Sequence, residues 1–299
     1  MDGILIINKP EGWTSQDVCA KLRGRLHIKR IGHTGTLDPM ATGVLPVCAG
    51  KATRVIEYYD KDSKTYHAAM KLGLKSDTLD ITGEILERCS FADVSEKAVR
   101  EAFGAYTGDI SQVPPKYSAL KVNGKRAYEL AREGRDFEIK ARKISVFSNE
   151  ITRLDLDAGE IEFDVACSKG TYIRTICDDI GRTLGCGAVM TALCRTRSGC
   201  FRLEDSLSMD EIAEMSDEEI VKHMIPPEDT LGMLGKIELD DNRVTAFING
   251  NSTRAGGFRI TEPTRFDDIY RVCSGNRFLG TAAVENGSLV PKKVFGNEM

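Results

Sequence analysis

The chain has 299 residues, and its 41% hydrophobic content is enough to bury the core of one large domain and one small domain. No apolar run approaches the roughly 20 residues that a membrane-spanning helix needs, and the N-terminus lacks a basic leader and a cleavage site, so we expect a cytoplasmic protein without a membrane partner. Nine cysteines and four histidines are scattered without zinc-type spacing, which predicts reduced thiols and no metal site.

The net charge of −4 hides an uneven distribution. The window from Val18 to Leu37 contains no acid and five lysines or arginines, and the window from Lys116 to Lys143 has nine basic residues against four acids. Clustered positive charge is the footprint of binding to a phosphate backbone. Because a solvated helix face is the more usual meaning of such a run, charge alone leaves both interpretations open.

The first informative segment is residues 32–46, with the sequence GHTGTLDPMATGVLP. Its glycines and prolines predict an irregular loop between ordered elements, and Asp38 projects from it. Such loops often carry catalytic residues, although an isolated Asp-Pro more often forms a simple turn.

Regular elements follow in chain order. Alternating apolar residues from Lys64 to Leu74 predict a half-buried strand that begins with Tyr66 on its apolar face. A helix is predicted to start at Asp93–Glu96 and to end at Gly104. A second strand at 161–167 leads through Ser-Lys-Gly into a helix whose apolar stripe ends before Gly185.

Strands and helices alternate without a regular βαβ rhythm, which predicts an α+β fold. The stretch from Glu204 to Asp241 holds thirteen acids. Its part from about Asp205 to Thr230, with Pro226-Pro227, is predicted to be the outer edge of the larger unit and to lead to a linker. Short strand-like runs after about Lys236 indicate a different and smaller unit.

Five ordered segments resemble the TruB family of pseudouridine synthases and cover most of residues 4–200. The Asp38 loop matches the pattern GHTGxLDPxATGxLP, and Asp38 falls on the catalytic aspartate of the family. The other matching segments are Ile7–Pro10 with Gly12 and Thr14–Ser15, Lys64–Tyr66 through Thr78–Asp80, Gln112–Ala119, and Ser168–Thr175.

The resemblance implies a mixed, mainly antiparallel sheet flanked by helices. It places a catalytic domain at 1–232, an RNA-gripping insertion at about 116–143, and a small PUA-like RNA-binding β-barrel at 236–299. The reaction breaks the bond between ribose and uracil and rejoins the ring through C5, so neither a cofactor nor a metal is expected.

Three residues receive catalytic roles from the resemblance. Asp38 acts at the sugar carbon, as a nucleophile, by electrostatic stabilisation or by abstracting a sugar proton. Arg174, which the helical pattern places off the apolar stripe and pointing away from the core, pairs with Asp38. Tyr66 stacks on the uracil and accepts the C5 proton. The plain alternatives are an Arg174–Asp178 pair on the helix surface and a core tyrosine.

Five further residues are expected to bind substrate or support the site. His33 occupies the space of a flipped nucleotide, and Asp80 contacts the base or its neighbours unless it is a turn acid. Tyr172 lines the pocket, Leu193 forms its apolar wall or simply packs in the core, and Lys9 supports the Asp38 loop or lies on the surface.

The family's substrate implies a tRNA partner that is bound through its T arm, with the uridine at position 55 flipped into the pocket of a monomeric enzyme. Two alternatives stay open. One is a synthase subunit directed by a guide RNA, and the other is a tRNA-binding or tRNA-folding protein without catalysis.

Overall fold

The computed structural model describes residues 2–61, 63–122, 124–264 and 266–296. The larger sheet is built from β1 (Gly3–Lys9), β2 (Ile31–His33), β3 (Thr42–Ala49), β4 (Lys64–Leu72), β7 (Gly108–Gln112), β10 (Arg142–Asp155), β11 (Glu160–Cys167), β12 (Ala188–Ser198) and β13 (Phe201–Arg202). Two hairpins lie beside it, formed by β5 (Leu74–Ser76) with β6 (Ile85–Arg88) and by β8 (Lys121–Val122) with β9 (Lys125–Arg126).

Eight α-helices occur in the described part of the chain. They are α1 (Ser15–Leu26), α2 (Glu96–Ala105), α3 (Ala127–Arg132), α4 (Ile173–Thr183), α5 (Met209–Glu214), α6 (Asp217–Lys222), α7 (Pro227–Thr230) and α8 (Val244–Ile248). Three 3-10 helices span Gly50–Lys61, Leu203–Asp205 and Asp241–Arg243. Over the described residues, no helix is both long and apolar enough to cross a bilayer.

The larger sheet has the strand order β1-β3-β12-β4-β11-β10-β7, with β2 paired to β3 and β13 paired to β12. All of its neighbours are antiparallel except β3 and β12, which meet in a short parallel contact at Thr42 and Gly43. A mixed, mainly antiparallel sheet with helices on its face confirms the α+β prediction. The strand β12 comes late in the chain but lies in the middle of the sheet.

The predicted strands and helices are largely confirmed. The side chains of β4 and β11 alternate between buried and partly exposed, as period-two patterning requires. Gly73, with a φ of +79°, ends β4, so Leu74 starts a separate strand rather than extending the same one. The cap of α2 is Ser95, whose side chain accepts a hydrogen bond from the amide of Ala98, and the helix ends one residue beyond Gly104.

The main core lies between the helices and one face of this sheet. It joins α1, α2 and α4 to the buried faces of β4, β11 and β12. The stripe of α4 is buried at Ile173, Ile176, Cys177 and Ile180, and Gly185 follows the helix with a φ of +77°. The apolar stripe therefore holds the N-terminal end of α4 against the sheet.

A second sheet follows from Gly235. Its strands are β14 (Gly235–Leu239), β15 (Thr253–Arg254), β16 (Phe258–Glu262), β17 (Ile269–Ser274), β18 (Arg277–Glu285) and β19 (Ser288–Val294), in the order β15-β19-β18-β17-β14-β16. It has its own apolar cluster, which includes Ile237, Phe247 and Leu289. The expected C-terminal unit also includes residues 297–299, which lie outside the described residues.

The two sheets also share a hydrophobic cluster. Ile4 and Val55 on the side of the larger sheet meet Phe278 and Phe295 of the smaller one. The hydroxyls of Tyr58 and Thr281 lie 2.6 Å apart across this contact. Buried apolar side chains and a buried hydrogen bond thus join the two parts of the molecule.

The basic window at 116–143 forms a small arm. It contains the hairpin of β8 and β9 and the short helix α3, followed by a segment without regular structure up to residue 141. Arg142 and Lys143 are already the first residues of β10 in the main sheet. The last two cations of the window therefore belong to a paired strand of the larger sheet.

Candidate active site

A cavity of about 570 Å³ opens beside the Asp38 loop. Its walls come from this loop, from β4 and β12, from the residues before α4, and from the first residues of the 116–143 window. Of the eight site residues predicted from sequence, five line it: Asp38, Tyr66, Tyr172, Arg174 and Leu193.

Arg174 is the electrostatic centre of the site. Its Nη2 lies 3.0 Å from a carboxylate oxygen of Asp38, and its Nη1 lies 3.4 Å from a carboxylate oxygen of Asp80. The same guanidinium donates to the backbone carbonyls of Thr78 and Tyr117, at 3.0 and 3.1 Å. The four contacts fix the plane of the guanidinium, and this plane aims Asp38 into the cavity.

The position of Arg174 differs from the surface location predicted from the helical pattern. The side chain lies off the apolar stripe, as expected, but only 4% of the residue is exposed. The alternative pair with Asp178 is wrong, because Asp178 binds Arg182 at 3.0 Å. Helical periodicity separates the stripe from the rest of the helix, but it does not show that a loop covers the remaining face.

Asp80 is held from two sides. One carboxylate oxygen accepts hydrogen bonds from the hydroxyls of Thr78 and Thr82 and from the amide of Thr82, at 2.6 to 3.0 Å, while the other faces Arg174. Leu79, at a φ of +65°, allows the sharp turn that brings Asp80 inward. Asp80 does not line the cavity, so its position suits a support for Arg174.

The surroundings of Asp38 act on its charge in opposite directions. Burial raises the pKa of the Asp38 carboxyl above its ordinary value, Arg174 lowers it, and the nearby Asp80 raises it again, with burial the largest effect. The carboxylate still opens to the cavity, since 37% of its side chain is exposed. The Asp38 carboxylate is therefore accessible to a ligand in the cavity, although the surrounding protein removes much of its hydration.

Tyr66 and Leu193 extend from neighbouring strands into the same cavity. Tyr66 is 7% exposed, and burial raises the pKa of its hydroxyl, an effect that Arg195 partly offsets. Leu193 is 8% exposed and forms part of the wall next to Tyr66. An aromatic ring beside an aliphatic wall suits a flat, uncharged ring such as a nucleobase.

Tyr172 is positioned by its backbone. Its amide donates a hydrogen bond to the side-chain oxygen of Gln112 at 2.8 Å, and its carbonyl accepts one from the side-chain nitrogen of Gln112 at 3.1 Å. Tyr172 is also the residue that precedes the first turn of α4. This two-point contact fixes the entry into the helix that carries Arg174.

Lys9 lies beneath the Asp38 loop instead of in the cavity. It is fully buried, and its ammonium donates to the carbonyls of Pro10, Trp13 and Pro39 at 2.8, 2.6 and 3.2 Å. Burial lowers the pKa of Lys9 to about 8, an effect that Asp38 partly opposes. The surface interpretation of Lys9 is therefore wrong, and the contact with Pro39 matches the expected support of the loop.

His33 lies outside the cavity lining. One ring nitrogen is 3.1 Å from the side-chain nitrogen of Gln16, and burial, followed by the charge of Arg195, lowers the pKa of the imidazole. The structure thus places His33 at the edge of the basic window before the Asp38 loop, in surroundings that favour the uncharged imidazole.

Sequence reasoning missed Arg195. This residue is 1% exposed, lines the cavity opposite Tyr66 on the neighbouring strand, and donates to the carbonyls of Val44 and Gly35 at 2.7 and 3.2 Å. Arg197 has the same parity in sequence, but a register shift between the two residues leaves it exposed. No sequence signal distinguishes these two arginines, because a β-bulge is invisible to period-two patterning.

Four further cavity residues, to which sequence analysis gave no role in the site, are cationic. Lys64, Arg142, Lys143 and Lys169 surround the cavity, and the last three are exposed. Their positive charge suits the phosphates on either side of a nucleotide whose base enters the cavity. Across the described ranges, no group of three or more histidine, cysteine or acidic side chains is arranged to hold a metal ion.

The sequence matches known families along most of its length. Residues 23–173 match the family described as TruB family pseudouridylate synthase (N terminal domain), and residues 174–231 match the tRNA pseudouridylate synthase B C-terminal domain. Proteins named tRNA pseudouridine synthase B from Clostridium kluyveri and Clostridium novyi are 43% and 44% identical to this chain. Each alignment spans 281 residues, which is 94% of this chain and 94% of the relative.

Solved structures share the fold over nearly the whole chain. A Cbf5-Nop10-Gar1 complex contains a chain that matches with a TM-score of 0.75 and 26% identity, covering 98% of this chain and 85% of that one. An archaeal box H/ACA sRNP Nop10-Cbf5 complex matches with a TM-score of 0.74 and 25% identity, covering 98% and 86%.

Proposed function

The chain belongs to the TruB family of pseudouridine synthases, isomerases that act on tRNA, and from this premise we propose that it converts the uridine at position 55 in the T loop to pseudouridine. The observation that carries the proposal is the pair of Asp38 and Arg174 at 3.0 Å on the wall of a cavity that also contains Tyr66. The fold is a pseudouridine synthase fold with a PUA-like C-terminal sheet.

In the proposed reaction the bond between C1′ of the ribose and N1 of uracil breaks, and a bond between C1′ and C5 forms. The Asp38 carboxylate stabilises or attacks C1′ as positive character develops there. Arg174 keeps that carboxylate ionised in a poorly solvated position. Tyr66 stacks on the detached ring, and its hydroxyl accepts the proton that leaves C5 as it gives up its own proton to water. N1 takes up one proton from water, so the numbers of protons released and taken up are equal and the product is an isomer of the substrate.

The remaining residues bind or support. We assign contact with the nucleotide to Tyr172 and Leu193, which line the cavity, and displacement of an RNA base to His33. Asp80 acts through Arg174 at 3.4 Å, and Lys9 acts through the carbonyl of Pro39 next to Asp38. These two are positioning residues.

For the whole chain we propose a monomeric cytoplasmic enzyme that grips the T arm of tRNA. The catalytic domain would span residues 1–232 and the PUA-like RNA-binding domain residues 236–299, since a separate sheet starts at Gly235. The arm at about 116–143 would hold the RNA, because its base contributes Ser118, Ala119 and Leu120 to the cavity wall.

A guide-directed subunit is the second candidate, since the similar solved chains come from a Cbf5-Nop10-Gar1 complex and a box H/ACA sRNP. Relatives with 43% and 44% identity are named as tRNA enzymes, and this higher identity over 94% of the chain favours the stand-alone activity. A tRNA-binding protein without catalysis is the less favoured third candidate, because every proposed catalytic position retains a competent side chain.

The test is position-resolved pseudouridine mapping on an unmodified tRNA transcript incubated with the purified protein alone or with Asp38→Asn. Product at position 55 with the native protein and none with the variant is the expected result. Activity that requires an added guide RNA would support the second candidate, and binding without product in either sample would support the third.

A further inference from the structure

Four buried hydroxyls have no hydrogen-bond partner in the described part of the chain. They belong to Thr34, Ser118, Thr175 and Thr253, whose residues are 3% to 5% exposed. Buried polar groups are nearly always hydrogen-bonded, and one that is not costs free energy of folding. Two of the four, Thr34 and Ser118, line the cavity that contains Asp38, whereas Thr175 and Thr253 do not.

The two cavity hydroxyls lie on walls of different origin. Thr34 belongs to the loop of Asp38, and the next residue, Gly35, accepts a hydrogen bond from Arg195. Ser118 belongs to the base of the arm, where its own carbonyl accepts from the amide of Tyr128 and the preceding carbonyl binds Arg174 at 3.1 Å. Each hydroxyl is thus carried by backbone that the site itself fixes.

The charge around the cavity limits which part of a nucleotide the hydroxyls meet. Exposed cations of the cavity, such as Arg142, Lys143 and Lys169, are suited to phosphates, which need charged partners that water can reach. Neutral hydroxyls that are 95% buried are suited to a neutral group that enters the cavity. For a flipped uridine that group is the uracil ring, which offers O2 and O4 as acceptors.

The uracil ring must turn over after the bond between C1′ and N1 breaks and before the bond between C1′ and C5 forms. A half-turn about the axis through N3 and C6 exchanges N1 with C5, and it also exchanges O2 with O4. A hydroxyl that donates to one carbonyl before the turn therefore faces the other carbonyl afterwards. Donors fixed in the wall provide the same hydrogen bond to uracil at the start and at the end of the turn.

We propose that the hydroxyls of Ser118 and Thr34 donate hydrogen bonds to the carbonyl oxygens of the target uracil and retain the ring in the cavity while it is detached. This inference rests on the proposed function, since it assumes that a uridine enters this cavity. It makes the base of the arm part of the substrate site as well as a connection to the RNA-gripping element.

The test compares Ser118→Ala and Thr34→Val with two matched variants, Thr175→Val and Thr253→Val, which remove equally buried and equally unpartnered hydroxyls outside the cavity. Single-turnover pseudouridine formation is measured at saturating tRNA, together with the tRNA dissociation constant and the thermal midpoint. We expect each cavity variant to slow turnover on the order of tenfold, the effect of one hydrogen bond. The dissociation constant should change less than twofold, because phosphates dominate affinity.

Both control variants should react at the native rate, and no variant should unfold at a lower temperature, since each loses an unsatisfied group. Thr34→Ser, which retains a hydroxyl, should recover most of the rate and keeps the test valid if Thr34→Val folds poorly. A transcript with 4-thiouridine at the target supplies a weaker acceptor. It should slow the native protein more than it slows the two cavity variants.

Native turnover by both cavity variants, or an equal loss in the Thr175 variant, would overturn the inference while leaving the proposed function intact. Absence of pseudouridine with the native protein would overturn the proposed function first and this inference with it.

Discussion

The charge state of Asp38 sets an expectation for the pH dependence of the reaction. Burial raises the pKa of this carboxyl above its ordinary value of 3.8, and the proposed role requires the ionised form. The acidic limb of the single-turnover rate should therefore have its midpoint above pH 3.8. Fluorescence of Trp13, the sole tryptophan, monitors whether the fold survives at each pH. A midpoint at or below 3.8 in folded protein would contradict this expectation.

Lys9 predicts a pH effect on stability. Burial lowers its pKa to about 8 from an ordinary value of 10.5, so between these values the unfolded chain holds a proton on Lys9 that the folded chain has released. The free energy of unfolding should then rise with pH in this window, by at most about 1.4 kcal/mol per pH unit from this group.

The measurement for Lys9 is urea unfolding of the native protein and of Lys9→Met at several pH values from 7.5 to 10.5. The free energy of unfolding of the native protein minus that of Lys9→Met should increase with pH. Lys97→Met, at a side chain that is 85% exposed, is the matched control and should follow the native curve. Parallel curves for the native protein and Lys9→Met would show that the ammonium has an ordinary pKa.

Sequence alone predicted the residues that belong to recognisable motifs and missed those defined by three-dimensional detail. Asp38, Tyr66 and Arg174 come from three separate segments, and a family resemblance is what joins them. Arg195 was missed because a bulge separates it from Arg197. Ser118 was missed because an unpartnered hydroxyl is a property of its surroundings, which pattern and propensity do not describe.

At the level of elements, the arm offers a test of RNA binding. The exposed cations Lys121, Arg126 and Lys140 lie in the basic window. Replacing all three by glutamine should raise the tRNA dissociation constant on the order of tenfold, because the variant forms fewer contacts with phosphates. The slope of log affinity against log salt should become shallower by roughly 2 to 3. Filter binding at several salt concentrations measures both quantities.

The matched control for the arm removes surface charges elsewhere. Lys97 and Arg100 lie on α2, where each forms an exposed i,i+4 ion pair. Replacing both by glutamine changes the net charge by a similar amount but should leave the salt slope unchanged. An equal loss of affinity in this control would mean that overall charge, rather than the arm, governs binding.

Elements with strong periodicity were predictable, and those defined by pairing were not. The strands β4 and β11 and the helix α4 have one apolar face each, so periodicity alone located them. The charge pattern of the basic window did not show that Arg142 and Lys143 begin a strand. Their position is fixed by antiparallel pairing with β7, which depends on residues 30 positions earlier.

For the whole molecule, the shared cluster predicts that the two sheets stabilise each other. Phe295 is fully buried and packs on Phe278, with ring centroids 5.2 Å apart. Phe295→Ala should lower the free energy of unfolding by about 3 to 5 kcal/mol. Ile260→Ala, at a side chain of the same sheet that is 46% exposed, should change it by less than about 0.5 kcal/mol.

Calorimetry of the Phe295 variant should show one transition at a lower temperature, as expected if the sheets unfold together. Two separated transitions, with the larger sheet retaining its native midpoint, would indicate that the C-terminal sheet contributes nothing to the stability of the catalytic part.

The central position of β12 has a consequence for synthesis on the ribosome. The neighbours of β12 in the sheet, β3 and β4, are complete by residue 72, yet the strand that joins them ends at residue 198. A nascent chain therefore carries two open strand edges for more than a hundred residues of elongation. Since β12 also supplies Leu193 and Arg195, the cavity is complete only when this strand pairs with β3 and β4. A partly synthesised chain can therefore mispair its open strand edges before it is able to bind RNA.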